Sequence, residues 1–146
     1  MIREARPGEA AALAAAYEWL FAPPGHRPPR WEAERASSRL ERLVAADDAT
    51  MLVADADGSI VGICSVYLDI ESVRFGRRAW VEDLAVDPDH RSAGHGKALL
   101  DAAKDWARER GASHLELDSG EARADAHRFY EREQPAYRSI QFGWEL

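Results

Sequence analysis

"DPDHRSAGHGKALLDAA", Asp87 to Ala103, sets an arginine, two glycines one residue apart and a lysine between an apolar strand and an amphipathic helix. Glycines there let backbone N–H groups approach a ligand closely, and the N-terminus of the following helix attracts anions. The stretch has the character of a phosphate cradle. A P-loop would need glycine at Arg91 and Ser or Thr at Ala98, and a dinucleotide fingerprint would need a third glycine at Leu99. Both are excluded. What remains is Arg91-Ser92-Ala93-Gly94-His95-Gly96, whose meaning depends on the elements around it.

Upstream, Ala79–Val86 ("AWVEDLAV") reads as a central strand covered on both faces. Downstream, His95–Arg110 places Leu99, Leu100, Ala103, Trp106 and Ala107 on one helix face, with Gly111 at the C-terminal cap. Leu115 and Leu117 alternate with polar residues in "SHLELD", giving a parallel strand and hence a βαβ unit. Nearer the N-terminus, a strand at Ile2–Ala5 precedes an Ala-rich helix with Leu13, Tyr17, Leu20 and Phe21 on its buried face. A Pro-rich loop, Ala22–Arg30, leads into a second helix through Ala36, Leu40, Leu43 and Val44. Two antiparallel strands then meet at Asp55-Ala56-Asp57-Gly58, a hairpin turn. At the far end, Asp118 or Ser119 caps a helix carrying Ala126, Phe129 and Tyr130, and "YRSIQFGWEL" supplies a closing strand. The expected class is α/β, a mixed sheet in the order βααβββαβαβ with helices on both faces, forming one domain over residues 1–146.

Composition narrows the function. A length of 146 residues with 46% hydrophobic content suits one domain with its own core, and no apolar run reaches a membrane span. No signal peptide opens the chain, so a cytoplasmic location is expected. Cys64 is the only cysteine, which excludes an internal disulfide, and with His90 and His95 five residues apart no metal cluster is spaced for binding. The formal charge of −7 disfavours nucleic acid and favours a cationic ligand.

The element order, with Arg91-x-x-Gly94-x-Gly96 opening the central helix, resembles the GNAT superfamily of acyl-CoA-dependent N-acetyltransferases. "VEDLAVDPDHR" resembles the family's central strand and pyrophosphate loop, and "DAHRFYERE" its last helix with the motif tyrosine. In motif style the chain is similar to small-amine acetyltransferases of the aminoalkylphosphonate and polyamine type. The resemblance implies acetyl-CoA as co-substrate and no metal. It places Leu84, Ala85 and Val86 against the pantetheine arm and Arg91, Ser92, Ala93, Gly94, His95, Gly96 and Lys97 at the phosphates. Arg91 and Lys97 would offset anionic charge, and Gly94 and Gly96 would leave no Cβ in the way.

Acetyl transfer to an amine of pKa about 10 requires a neutral form that is only ~0.1% populated at pH 7, a gap of about 4 kcal/mol. A base must remove a proton, and an acid must return one to the departing thiolate. Val81-Glu82-Asp83 resembles the strand whose Glu is the base in polyamine acetyltransferases, which implies Glu82 here, with a water relay. Strand alternation sends adjacent Asp83 to the opposite face. Tyr130, in the family's "FY" pair, is implied as the acid. The chain departs from the family pattern at Arg123, where many members have Asn, and at Gln134-Pro135, where a Gly-aromatic pair is usual. Arg123 or Ser119 would have to replace the lost coenzyme contact. Cys64 reads as a small buried hydrophobe, Arg74, Arg77 and Arg78 as a solvated basic turn, and Trp19, Trp31 and Trp80 as core or pocket wall. The expected activity is acetylation of a primary amine on a small molecule. A protein lysine or N-terminal acetyltransferase and a noncatalytic acyl-CoA sensor are the alternatives, and a homodimer is left open. Neither nucleic acid nor a membrane is an expected partner.

Overall fold

The computed structural model describes residues Met1–Leu146. Apolar side chains alternate along β2 (Ala49–Ala56) and β3 (Ser59–Ser72), so each strand serves two cores at once. Met51, Val53 and Ile63 face α1 (Ala10–Ala16) and α3 (Ala33–Val44), while Leu52, Cys64 and Val66 face α4 (His95–Glu109). Helices therefore cover both faces. The sheet order is β1-β2-β3-β4-β5, with β1 at Ile2–Glu4, β4 at Gly76–Val86 and β5 at His114–Glu116. The first three pairings are antiparallel and β4–β5 is parallel, as the βαβ reading requires.

Local chemistry explains the joints. Asp57 and Gly58 turn the β2–β3 hairpin at φ +53° and +86°, and the Asp55 carboxylate accepts the Gly58 N–H at 2.8 Å. These are the backbone angles of a primed hairpin turn. Gly111, at φ +78°, closes α4. No helix is long and apolar enough to cross a membrane.

Three expectations need correction. The Ala-rich helix is two pieces, α1 and a short α2 (Glu18–Phe21), joined at Tyr17. The N-cap of α5 (Ala124–Arg132) is Arg123 and not Asp118 or Ser119, and no side chain caps it. No closing strand follows α5: Ile140, Phe142, Trp144 and Leu146 are exposed, since no layer of this chain is placed to cover them.

Two irregularities of β4 shape the cleft beside it. The pairing of β4 with β5 ends at Trp80↔Glu116, so the outer edge of Val81–Val86 has no neighbouring strand. On its other side the register jumps from Ser65↔Asp83 to Val66↔Val81. Glu82 is the extra residue of a β-bulge.

Candidate active site

The unpaired edge of β4 runs directly into the glycine loop. Asp87 organises the turn: its carboxylate accepts the Asp89 N–H at 3.0 Å and lies 3.1 Å from His90 Nδ1. Ser92 and Gly94 then take left-handed angles, φ +65° and +83°, and α4 starts at His95. The first backbone bond into the helix joins the Ala98 N–H to the Gly94 carbonyl, and no N–H from Arg91 to Lys97 donates to a backbone carbonyl. A row of free donors at the start of a 15-residue helix is the physical form of an anion cradle.

The two glycines do different work. A Cβ on Gly94 would meet nothing within 4 Å, so that position needs glycine for its backbone angle. A Cβ on Gly96 would point inward, 3.8 Å from Val86 Cγ2 and 3.7 Å from the Phe129 ring of α5. Gly96 thus lies where the start of α4 meets α5, with room there for a methyl group at ordinary contact distance. The two cations also differ. Arg91 is exposed, whereas Lys97 Nζ bonds Asp101 at 2.7 Å and Glu133 at 3.4 Å. Along β4, Leu84 and Val86 pack toward α4 and Ala85 toward α1 and α3, so these residues present backbone, not side chain, to the open edge.

At the other end of the edge, the bulge overturns the expected separation of the two carboxylates. Glu82 accepts the Trp80 indole N–H at 2.5 Å, and Trp80 pairs with Tyr67 on the α1 side of the sheet. Asp83 lies on that side too, accepting a 2.7 Å bond from the Tyr17 hydroxyl and a 3.3 Å bond from Ser65. An extra residue cancels one step of alternation, so neighbours share a face. Glu82 is exposed. Asp83 is partly buried, and that burial raises its carboxyl above the usual range despite the Tyr17 bond. Burial beside Asp83 likewise raises Tyr17, which keeps its proton.

Tyr17 is the residue that sequence reasoning missed, because helical spacing alone marks it as core. It stacks on Trp31 at 5.4 Å between ring centroids, and Phe21 meets Trp31 edge-on at 4.7 Å. An aromatic wall therefore backs the carboxylates. Its only sequence signal is the clustering of aromatics on both sides of the Pro-rich loop.

Tyr130 enters from α5, where burial pushes its phenol up to about 12. The negative charge of Asp118 raises both Tyr130 and Asp83. Arg123 does not extend toward the glycine loop; its guanidinium donates to the Leu20 carbonyl at 3.0 Å, tying α5 to α2. Ser119 Oγ is buried without a hydrogen-bond partner. Burial also pushes the Cys64 thiol up to about 12, which removes it as a nucleophile. An open groove of about 470 Å³ lies between α1 and α3, lined by Ala11, Ala14, Glu18, Arg27 and Glu34 among others; it shares Trp31 with the aromatic wall and no residue with β4 or the loop.

A strand edge open to an amide-bearing arm, feeding a donor-rich helix start, is the architecture of an acyl-CoA-dependent acyltransferase. Comparison with known proteins agrees. Residues 13–134 match the family model described as the acetyltransferase (GNAT) family, and the chain belongs to that family. It is 36% identical over 99 residues to an uncharacterized N-acetyltransferase, YhdJ, of Bacillus subtilis, covering 68% of this chain and 69% of that one. It is 32% identical over 129 residues to an aminoglycoside N(6')-acetyltransferase type 1 of Stenotrophomonas maltophilia, covering 86% and 79%. A solved ribosomal-protein-alanine N-acetyltransferase from Brucella melitensis superposes with a TM-score of 0.80 at 26% identity, covering 100% and 99%. The protein is an acetyl-CoA-dependent acyltransferase that acetylates amines.

Proposed function

We propose that the acceptor is a primary amine on a small molecule. The observation that carries this reading is the bulge at Glu82, which puts an exposed and a partly buried carboxyl on one face beside Tyr17, Phe21 and Trp31. Carboxylates attract an ammonium group, and aromatic faces accommodate a cation and its carbon frame. The aminoglycoside relative, which the chain spans over most of its length, supports a polyfunctional amine.

Each residue then has a task. The free N–H groups of Arg91–Lys97 and the Arg91 guanidinium hold the diphosphate of acetyl-CoA, and the open edge of Leu84–Val86 pairs with its amide-bearing arm. Glu82 takes the ammonium proton, directly or through water. The amine lone pair attacks the thioester carbonyl, the C–N bond forms, the C–S bond breaks with its electron pair on sulfur, and the second proton of the nitrogen passes through water to the thiolate. Tyr130 faces that sulfur. With its proton held as tightly as a pKa of about 12 implies, it stabilises the thiolate mainly by donating a hydrogen bond. Asp83 is a positioning residue: fixed by Tyr17 and Ser65, it holds the bulge that aims Glu82.

A second reading, acetylation of a protein N-terminus, draws on the likeness to the ribosomal-protein-alanine enzyme. Release of free coenzyme A should be followed with a panel of di- and polyamines, amino sugars, aminoalkylphosphonates and short peptides with free N-termini. Turnover of one or more small amines is expected. Turnover of peptides alone would replace the first reading by the second, and binding of acetyl-CoA with no turnover of any amine would leave a sensor.

A further inference from the structure

Two prolines, Pro23 and Pro24, follow almost directly on α2 and open the loop that runs to Arg30. In a continuing helix the carbonyls of Trp19 and Leu20 would accept from the N–H groups four residues on, and those two prolines carry none. The next N–H, that of Gly25, turns back to the Ala22 carbonyl at 2.9 Å. The end of α2 thus keeps carbonyls that its own segment cannot satisfy, and a cationic donor suits them.

Arg123 supplies that donor. From the start of α5 its guanidinium reaches the Leu20 carbonyl, 103 positions away in sequence, at 3.0 Å. Gly25 leaves the path open: a Cβ there would collide with the Leu20 carbonyl and lie 2.6 Å from Arg123 Nη2. Gly25 has no left-handed angle, so glycine serves space here and not backbone conformation. No other hydrogen bond or ion pair joins α5 to α2 or to the Pro-rich loop.

Both ends of this link matter to the cleft. None of the residues of α5 is fully buried. Its C-terminal end rests on α4, through Phe129 beside Gly96 and Glu133 at 3.4 Å from Lys97, while Arg123 is the polar anchor of its N-terminal end. Tyr130 follows Arg123 by seven residues, the spacing that returns to one side of a helix, and helical side chains tilt toward the N-terminus. The phenol therefore leans toward the guanidinium. Burial, Cys64 and Asp118 push the phenol up, and the Arg123 charge opposes them. At the other end, the loop leads into Trp31, which stacks on Tyr17, and its Arg27 pairs with Glu18 at 2.6 Å and lies over the Phe21 ring.

We propose that Arg123 is a positioning residue for acetyl transfer: spanning from α5 to the Leu20 carbonyl through the gap at Gly25, it fixes the aromatic acceptor wall and the Tyr130 hydroxyl in one frame. This role rests on the proposed placing of the amine beside that wall and of Tyr130 at the sulfur. Arg123 acts through the groups it joins and not on the reacting atoms. Transfer between two bound reactants depends steeply on their relative placement, which this tie helps to set.

The test compares the full-length parent with Arg123→Met, which keeps length without charge or donors, Arg123→Lys, which keeps a cationic donor, Tyr130→Phe, and Arg123→Met combined with Tyr130→Phe. Kinetics use acetyl-CoA and the amine of the panel that turns over fastest, with acetyl-CoA binding read by calorimetry and amide exchange over residues 22–31 by mass spectrometry. Arg123→Met should lower kcat about tenfold and raise the amine KM about fivefold, with acetyl-CoA affinity within about twofold of the parent. Exchange over residues 22–31 should quicken by roughly tenfold, with α4 unchanged. Arg123→Lys should recover to within about threefold of the parent, and the combined variant should have a kcat no lower than Tyr130→Phe alone, because both act on one step. A loss of acetyl-CoA affinity of about tenfold with an unchanged amine KM would make Arg123 a coenzyme contact and overturn the proposal. Parent-like kinetics in Arg123→Met, a lysine variant no better than methionine, or fully additive losses in the combined variant overturn it too. If Tyr130→Phe alone costs nothing, or no amine turns over, the catalytic reading is what fails. Exchange then decides the tie by itself: quickened exchange in Arg123→Met supports it, and unchanged exchange overturns it.

Discussion

Arg91–Lys97 offers a ligand the backbone of consecutive residues, whereas the proposed amine side of the cleft gathers side chains from four separated segments: Tyr17, Trp31, Ser65 and the Glu82-Asp83 pair. The first arrangement depends on two left-handed angles and a helix start, all local. The second depends on a bond between residues 66 positions apart and on a strand irregularity. Backbone recognition tolerates change in side chains, and side-chain recognition tolerates almost none. Substitutions at the two ends should therefore fail differently, one in coenzyme affinity and the other in turnover and its pH dependence.

The largest effect is expected at the point between them. Tyr130→Phe keeps the ring and removes the donor proposed to face the sulfur, so kcat should fall about 10²-fold, the low end for loss of a general acid, while acetyl-CoA affinity stays within about twofold. The loss should shrink for donors with more acidic thiols. Equal losses with all donors would place the hydroxyl in positioning and not at the sulfur.

Next is Gly94→Val. A β-branched residue at φ +83° carries strain of about 1–3 kcal/mol, and acetyl-CoA affinity should fall by about ten- to a hundredfold, measured by calorimetry, with kcat at saturation little changed. Gly96→Ala is the matched control. Its methyl would sit at ordinary contact distance from Val86 and Phe129, so binding should stay within about twofold. A reversed order would mean that the second glycine, not the first, makes the cradle.

Glu82→Gln should lower turnover about tenfold at pH 6–7 and progressively less toward pH 9, because the free amine itself rises tenfold per pH unit below its pKa. Coenzyme affinity should not change. A parallel pH–rate profile would remove Glu82 as the base.

The smallest effect concerns Asp83. Burial lets its native carboxyl keep a proton to higher pH than the unfolded chain does, so the unfolded state binds fewer protons and this group's contribution to stability falls as pH rises from about 4 through the raised native value. Asparagine does not titrate. Subtracting the Tm of Asp83→Asn from that of the parent isolates the group, and the difference should become more negative across that window by about 2–4 °C. A flat difference would mean that Tyr17 and Ser65 fully offset the burial.

The same contrast explains what could be read from residue order. The hairpin at Asp57-Gly58, the cap at Gly111, the parallel crossover and the glycine loop arise from chemistry within a few residues, and the structure has all of them. The mixed sheet with helices on both faces comes from their order. The bulge does not, because Val81-Glu82-Asp83 contains no glycine or turn residue to mark it. Lys97 is also paired to Asp101 and Glu133, and the second of these lies at the end of α5. "YRSIQFGWEL" has the alternation of a strand, yet it lies unpaired beside the free edge of β5 with its apolar residues exposed, so the pattern is present without the element. Tyr17 carried no sign of its bond to Asp83, which exists only once α1 lies on the sheet.

The extra residue in β4 is also dispensable to the strand's phase. Val81 pairs with Val66 and Asp83 with Ser65, so removing Glu82 would bring Val81 and Asp83 into direct succession and restore two-residue alternation with every other side chain on the face it already has. Asp83 would keep Tyr17 and Ser65, and the strand would lose only the carboxylate that the bulge adds. Removing a second neighbour would shift the phase and exchange the faces of the residues on one side of the gap. This stretch of β4 should therefore accept the loss of the one inserted residue and reject any further single-residue change in length, because the Glu82 carboxylate is an insertion laid on an otherwise regular strand.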